Sequence, residues 1–304
     1  MIRIGVDFGG TKIETAALDG DGRVRARVRA PSPGSYEASL ATVRDLVAEA
    51  ERQAGVAAAA IGVGIPGSPS PAVGLIRNAN TTHLNGKPLQ ADLERVLGRP
   101  VRLANDANCF ALSEATDGAG RGAEVVFGVI LGTGCGSGLV VGGRVIAGHN
   151  GIAGEFGHTP LPWPTHEELP GPECFCGRRN CLELWISGSG LARDHGSGET
   201  AKAIVAAAAA GDRAANASLD RYVDRLARAL AVVADIVDPD VFVLGGGMSN
   251  VEALYRRLPA AIAGYTFSDV FTTPVRAAAH GDSSGVRGAA WLWPLEPPPP
   301  GSGP

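Results

Sequence analysis

The chain has 304 residues, of which 45% are hydrophobic and 19% charged, with a net charge of −4. At roughly 100–200 residues per domain, this is room for two globular domains, each with its own core. The charge balance gives no footprint for nucleic acid, and no apolar run approaches the length that spans a bilayer.

The chain opens on an apolar run at residues 2–6, read as a buried strand with no basic-then-apolar leader ahead of it, so a cytoplasmic protein is expected. Gly9-Gly10-Thr11-Lys12 turns out of that strand, residues 13–18 return as a second, and 23–28 form a third. Residues 36–54 carry Leu40, Val43, Leu46, Val47 and Ala50 at helical spacing. A strand at 60–65 ends at Pro66-Gly67, followed by a short helix at 91–97 and a strand at 101–104. Residues 105–116 read as a helix with Asn105 or Asp106 at its N-terminus. The opening pattern then repeats: a strand at 125–131, the turn Gly132-Thr133-Gly134-Cys135-Gly136-Ser137-Gly138, and a return strand at 139–141. Residues 149–181 are irregular and rich in Pro, Gly and Cys. Helices follow at 201–210 and 219–237, then a strand at 241–244 ending in Gly245-Gly246-Gly247. A last helix, capped by Asp282, runs to residue 293, and 297–304 contain only Pro, Gly and Ser and read as a disordered tail.

Several clusters carry chemistry. In Asp7-Phe8-Gly9-Gly10-Thr11-Lys12, glycines let backbone N–H groups approach a phosphate, Thr11 and Lys12 add donors and charge, and Asp7 can orient Mg²⁺ or its waters. The bland alternative is a β-turn with a solvated lysine. Gly132–Gly138 repeats the pattern, and the pair suggests two hairpins holding a nucleotide's phosphates. Asp106, within Asn105-Asp106-Ala107-Asn108, is either a general base for an attacking hydroxyl or part of a helix cap. His158, Cys174, Cys176 and Cys181 supply one imidazole and three thiolates, the donor set of a closed, structural zinc centre, with Gly177 permitting the turn between ligands. The odd cysteine count and this crowding fit a metal in a reducing compartment better than disulfides, and Cys109 and Cys135 read as packing residues. Glu155 and Glu183 flank the metal cluster, which would fix both carboxylates for gripping sugar hydroxyls.

In this order, Asp7–Lys12, Gly64-Ile65-Pro66-Gly67, Asn105–Asn108, Gly132–Gly138, Gly154-Glu155-Phe156-Gly157-His158, Cys174–Cys181 and Gly245–Gly247 resemble the ROK family of sugar kinases, from residue 2 to about 293. The resemblance implies an α/β, actin-like (ribonuclease H-like) two-domain ATPase fold with an interdomain cleft. It places a small domain at 1–117 with 288–296 and a large domain with the zinc loop at 118–287. It implies ATP with Mg²⁺, a structural Zn²⁺ and a homodimer. The nucleotide's phosphates would meet Asp7, Gly9, Gly10, Thr11 and Lys12 and Gly132, Thr133, Gly134, Gly136 and Gly138, with Gly245, Gly246 and Gly247 by the adenosine. Asp106 matches the catalytic base. Gly67, Asn80, Asn105, Asp106, Glu155, His158 and Glu183 match sugar-binding positions.

Within the family, Asn78-Ala79-Asn80 with Leu84-Asn85-Gly86, Leu161-Pro162-Trp163 and the closing segment from His280 to Trp291 resemble bacterial fructokinases of the manno(fructo)kinase type. The implied reaction is transfer of the γ-phosphoryl of MgATP to fructose, on the 6-hydroxyl by analogy. N-acetylglucosamine kinase, mannokinase and glucokinase are the alternatives within the family. A sugar-responsive regulator is the alternative from another class. Such regulators carry an added helix-turn-helix, for which a first strand at residue 2 leaves no room.

Overall fold

The computed structural model describes residues 2–293, so the tail expected at 297–304 lies outside the described residues. The chain divides into two compact units. One comprises the chain up to Asp117, the segment Ala147–Ile152 and the described residues from Asp282 on; the other comprises Gly118–Ile146 and Ala153–Gly281. The return to the first unit thus falls at Asp282, ahead of the expected residue 288, and Ala147–Ile152 belongs with the first unit although the sequence assigns it to the second domain.

The first unit begins with β1 (Arg3–Phe8), β2 (Lys12–Leu18) and β3 (Val24–Pro31), followed by α1 (Tyr36–Ala54) and β4 (Ile61–Ile65). A two-residue pair, β5 (Ser68–Pro69) and β6 (Ile76–Arg77), precedes α2 (Leu89–Leu97), β7 (Val101–Asn105) and α3 (Asp106–Asp117). The second unit holds β8 (Val125–Leu131), β9 (Cys135–Val141) and β10 (Arg144–Val145), then α4 (Glu183–Ile186), α5 (Gly188–His195), α6 (Ala201–Ala209) and α7 (Arg213–Val237). It closes with β11 (Val241–Gly245), α8 (Glu252–Ala263) and β12 (Val275–Ala277), and α9 (Ser284–Trp291) belongs to the first unit.

Each unit is built on one five-stranded sheet with the same plan. The order is β3-β2-β1-β4-β7 in the first and β10-β9-β8-β11-β12 in the second. In both, three strands meander antiparallel and two more join in parallel, which requires helical crossovers. The helix α1 supplies one crossover. Ser35 caps its start, Gly55 ends it in the left-handed region at φ 72°, and its apolar stripe of Leu40, Val43 and Val47 is buried with Ile4, Val6, Ile61 and Val63. The second core joins Phe127, Val129 and Leu131 of β8 and Phe242 and Leu244 of β11 to Tyr222, Leu226 and Leu230 of α7 and Leu254 and Leu258 of α8.

In the first unit, helices approach the sheet at backbone contact. A Cβ on Gly5 would stand 2.0 Å from the Val286 carbonyl oxygen, one on Gly62 1.8 Å from that of Ala289, and one on Gly288 1.7 Å from that of Cys109. Glycine is therefore what lets α9 seat on β1 and β4 and against α3.

Three expectations are corrected. β9 begins at Cys135, so Gly136 and Gly138 are strand residues opposite Ile130 and Gly128, and the turn is only Gly132-Thr133-Gly134. The reason is pairing: the antiparallel ladder with β8 runs unbroken from Val125 opposite Val141 to Leu131 opposite Cys135, which leaves three residues for the turn. Gly154 and Gly157 pack on this strand so closely that added Cβ atoms would stand 2.6 Å from the Ser137 oxygen and 2.3 Å from the Cys135 oxygen. Asp282 sits within a 3₁₀ turn, Gly281–Ser283, and the cap position of α9 is Ser283. α7 starts at Arg213, six residues before the expected start at 219, because the Asp212 carboxylate accepts the Ala215 N–H.

Candidate active site

In the first unit, β1 and β2 pair up to Phe8 and Ile13, and the chain reverses through Gly9, Gly10 and Thr11. The Gly9 N–H donates to the Lys12 carbonyl at 3.0 Å, and a Cβ on Gly10 would stand 3.2 Å from the Thr81 hydroxyl. The turn is thus packed beside the segment that presents exposed Asn80. That segment is fixed by Asn85, whose side chain accepts the Ala79 N–H and donates to the Ala79 carbonyl, both at 2.9 Å. Gly67, at φ +85°, presses on the same stretch; a Cβ there would meet the Arg77 oxygen at 2.4 Å.

Asn105 ends β7 and Asp106 begins α3. The Asn105 amide donates to the Gly67 carbonyl at 3.1 Å and its oxygen accepts the Ala107 N–H at 2.9 Å. Asn105 therefore does the capping, with help from Asp106, whose Oδ1 accepts the same N–H at 2.8 Å. Asp106 itself is exposed. Asp7 lies opposite Glu14 across the ladder. Burial, then the charges of Asp106 and Glu14, raise its carboxyl to about 6, against the opposing pull of Lys12. Asp7, Gly9–Lys12, Gly67, Asn80, Asn105 and Asp106 are in this way linked within one unit.

In the second unit, the Gly132-Thr133-Gly134 turn is closed by the Gly132 N–H donating to the Gly134 carbonyl at 3.0 Å. Three other segments touch it. Glu183 Oε2 accepts the Cys135 N–H at 3.0 Å, and the Gly188 N–H donates to the Gly132 carbonyl at 2.7 Å. Gly246, at φ +78°, comes so near that a Cβ would stand 2.9 Å from the Gly132 nitrogen. The Gly245–Gly247 turn and the β8–β9 turn are therefore neighbours.

His158, Cys174, Cys176 and Cys181 converge with all their ligand atoms within 4.8 Å of one another. Sulfurs around a tetrahedral zinc stand about 3.8 Å apart at a Zn–S distance of about 2.3 Å. The Cys176 and Cys181 sulfurs are 3.6 Å apart, as are His158 Nδ1 and the Cys174 sulfur. Burial, followed by its two sulfur neighbours, pushes the Cys181 thiol up, a penalty that a bound divalent cation reverses. The residues fit the ion. Gly177, at φ +84°, donates its N–H to the Cys174 carbonyl at 2.9 Å and makes the turn between ligands. Because Nδ1 faces the thiols, Nε2 is the nitrogen left for another partner. Exposed Glu155 precedes the 3₁₀ turn Phe156–His158, and its carbonyl accepts the His158 N–H at 3.2 Å.

Sequence reasoning missed what supports this loop. Glu168 is buried and accepts from Arg225 at 2.7 Å and from Arg228 at 2.8 Å, and Arg225 reaches Asp194 at 2.7 Å. Arg228 also donates to the Pro162 and Trp163 carbonyls. The segment between His158 and Cys174 is thereby tied to α7 by charges about 60 residues apart in sequence, which no local pattern signals. Asn180 adds a second tie, accepting from the Trp185 indole at 2.7 Å.

Solved structures of known proteins share this fold. A ROK hexokinase from Thermus thermophilus superposes with a TM-score of 0.85 at 34% identity, covering 96% of this chain and 97% of that one. A ROK glucokinase from Streptomyces griseus, solved with glucose and AMPPNP, gives 0.78 at 30% identity, covering 96% and 99%. The protein thus has the actin-like ATPase fold. The sequence model of the ROK family matches residues 3–296, and the chain belongs to the ROK family of sugar kinases. N-acetyl-D-glucosamine kinase of Salmonella paratyphi C is 43% identical over 95% of this chain and 98% of its own length, and that of Yersinia pseudotuberculosis serotype O:1b is 42% identical over 95% and 97%. These relatives are N-acetylglucosamine kinases where the sequence motifs suggest fructokinase. Among the described residues, no helix is long and apolar enough to cross a membrane.

Proposed function

We propose that the protein is an ATP-dependent hexose kinase that transfers the γ-phosphoryl of MgATP to N-acetyl-D-glucosamine. The observation that carries the catalytic reading is exposed Asp106 at the start of α3, where it accepts the Ala107 N–H alongside Asn105 and lies in the field of Asp7. The identity of the sugar is supported by the relatives at 42–43% identity.

In this reading Asp106 accepts the proton of the sugar hydroxyl as it attacks phosphorus, and the residues around it position the acceptor. Asn80, Asn105, Glu155, Glu183 and His158 Nε2 hydrogen-bond the sugar, with Gly67 shaping the backbone beside it. The Gly9–Lys12 and Gly132–Gly134 turns offer N–H groups to the phosphates, and Lys12 adds charge. Asp7 orients Mg²⁺, which when bound neutralises phosphate charge. Zinc, when bound by His158, Cys174, Cys176 and Cys181, supplies a rigid centre rather than chemistry. A homodimer in the cytoplasm follows the family resemblance. A second reading, fructose as acceptor, rests on the segment that Asn85 clamps, whose Asn78–Gly86 pattern resembles fructokinases.

The test is ADP release with MgATP and a panel of N-acetylglucosamine, fructose, mannose and glucose. Preference for N-acetylglucosamine by kcat/KM supports the proposal. Preference for fructose replaces the sugar and keeps the mechanism, and no turnover with any of the four removes the kinase reading.

A further inference from the structure

Glu14 is a buried carboxylate that the mechanism above does not use. Its side chain is 2% exposed in β2, where an unpaired charge is strongly disfavoured. It is held from both sides: Arg27 Nε of β3 donates to Oε1 at 2.5 Å, and Lys12 Nζ donates to Oε2 at 3.2 Å. Lys12 and Glu14 are two residues apart on one strand and so share a face, and Asp7 stands directly opposite Glu14 on the neighbouring strand.

The charges decide what this arrangement can do. Arg27 already neutralises Glu14, so the contact with Lys12 orients the ammonium without cancelling it. The group of Lys12, Glu14 and Arg27 keeps one net positive charge. An ammonium has three N–H donors, and one is used on Glu14. Lysine otherwise carries its charge on a flexible four-carbon stem, and Lys12 is 41% exposed.

We propose that Glu14 is a positioning residue for phosphoryl transfer, fixing the Lys12 ammonium beside Asp7 at the turn that receives the nucleotide's phosphates. This rests on the reading of Gly9–Lys12 as a nucleotide loop. Glu14 touches neither substrate and acts through Lys12. Its loss raises the KM for MgATP and leaves the KM for the sugar in place.

The test is steady-state kinetics of Glu14→Gln, Lys12→Met and the double variant, each checked by its melting temperature. Glu14→Gln is expected to raise the KM for MgATP roughly tenfold, with the sugar KM within about twofold of wild type. The double variant is expected to be no worse than Lys12→Met alone, since both remove the same interaction. Glu14→Asp keeps the charge on a shorter arm and is expected to fall between wild type and Glu14→Gln, and it serves if Glu14→Gln does not fold. Additive losses in the double variant would overturn the proposal, as would an unchanged KM for MgATP in the Glu14 variants while Lys12→Met is impaired. If Lys12→Met itself leaves the KM for MgATP unchanged, the nucleotide reading of the turn fails and takes this proposal with it.

Discussion

The Glu183 carboxylate accepts the backbone N–H of Cys135 at 3.0 Å, joining the residue two places after the last metal ligand to the end of a glycine turn. A group expected only to grip a sugar also supports the Gly132–Gly134 turn, for which a phosphate-binding role is proposed. Glu183→Ala is therefore expected to raise the KM for both sugar and MgATP, each by roughly tenfold, the loss of one hydrogen bond to a charged group. Steady-state kinetics with each substrate varied in turn checks this. A rise in the sugar KM alone would confine Glu183 to the sugar.

Asp106→Asn keeps the shape at the start of α3 and the acceptor oxygen that faces the Ala107 N–H. It removes the carboxylate proposed as proton acceptor. The expected outcome is a loss of roughly 10²–10⁴ in kcat with little change in melting temperature. Near-normal kcat in the purified variant would sink the assignment of Asp106 as base.

Asp7 gives a stability prediction with a definite sign. Its carboxyl is raised from 3.8 to about 6 by burial first and by Asp106 and Glu14 next. Between these values the folded protein holds a proton that the unfolded chain has lost, so stability falls as pH rises through this window and stays lower above it. The full cost is up to about 3 kcal/mol. Asp7→Asn is thus expected to melt a few degrees higher than wild type near pH 8 without Mg²⁺, and to lose the advantage near pH 4. It is also expected to lose most activity. Melting curves across pH decide the matter, and an Asp7→Asn protein that melts lower near pH 8 would contradict it.

Cys176 is the exposed member of the His158, Cys174, Cys176 and Cys181 cluster proposed to hold zinc, so Cys176→Ser changes little packing. Metal analysis is expected to find about one zinc per wild-type chain and far less in this variant. The variant is expected to melt lower and to bind sugar more weakly, because His158 loses its anchor. Full activity and sugar affinity in a metal-free preparation would separate the cluster from the sugar site.

Much of this was legible in the sequence because the signals are local. The metal knot is a spacing, the two hairpins are repeats of strand, glycine turn and strand, and Asn105-Asp106 sits where a strand gives way to a helix. The rest is tertiary. A glycine run reads as a loop, yet Gly136 and Gly138 lie in β9 because the ladder with β8 pairs them with Ile130 and Gly128, a partnership the local sequence does not signal. The helices α4 and α5 are hidden by Ser187-Gly188-Ser189-Gly190, whose last glycine lets the chain fold back against Leu184; a Cβ there would stand 2.7 Å from its oxygen. The pairing of Glu168 with Arg225 and Arg228, and of Glu14 with Arg27, joins strands and helices whose neighbourhood only the fold decides.

Gly5, Gly62 and Gly288 touch no residue assigned to sugar or nucleotide, yet each leaves less than the width of a methyl group between α9 or α3 and its neighbour. Drift at these positions is closed for reasons of clearance alone. Among descendants of this sequence, glycines that persist here would record how near two backbones lie. A change of sugar preference would have to be written elsewhere, on the loops that this tight frame carries.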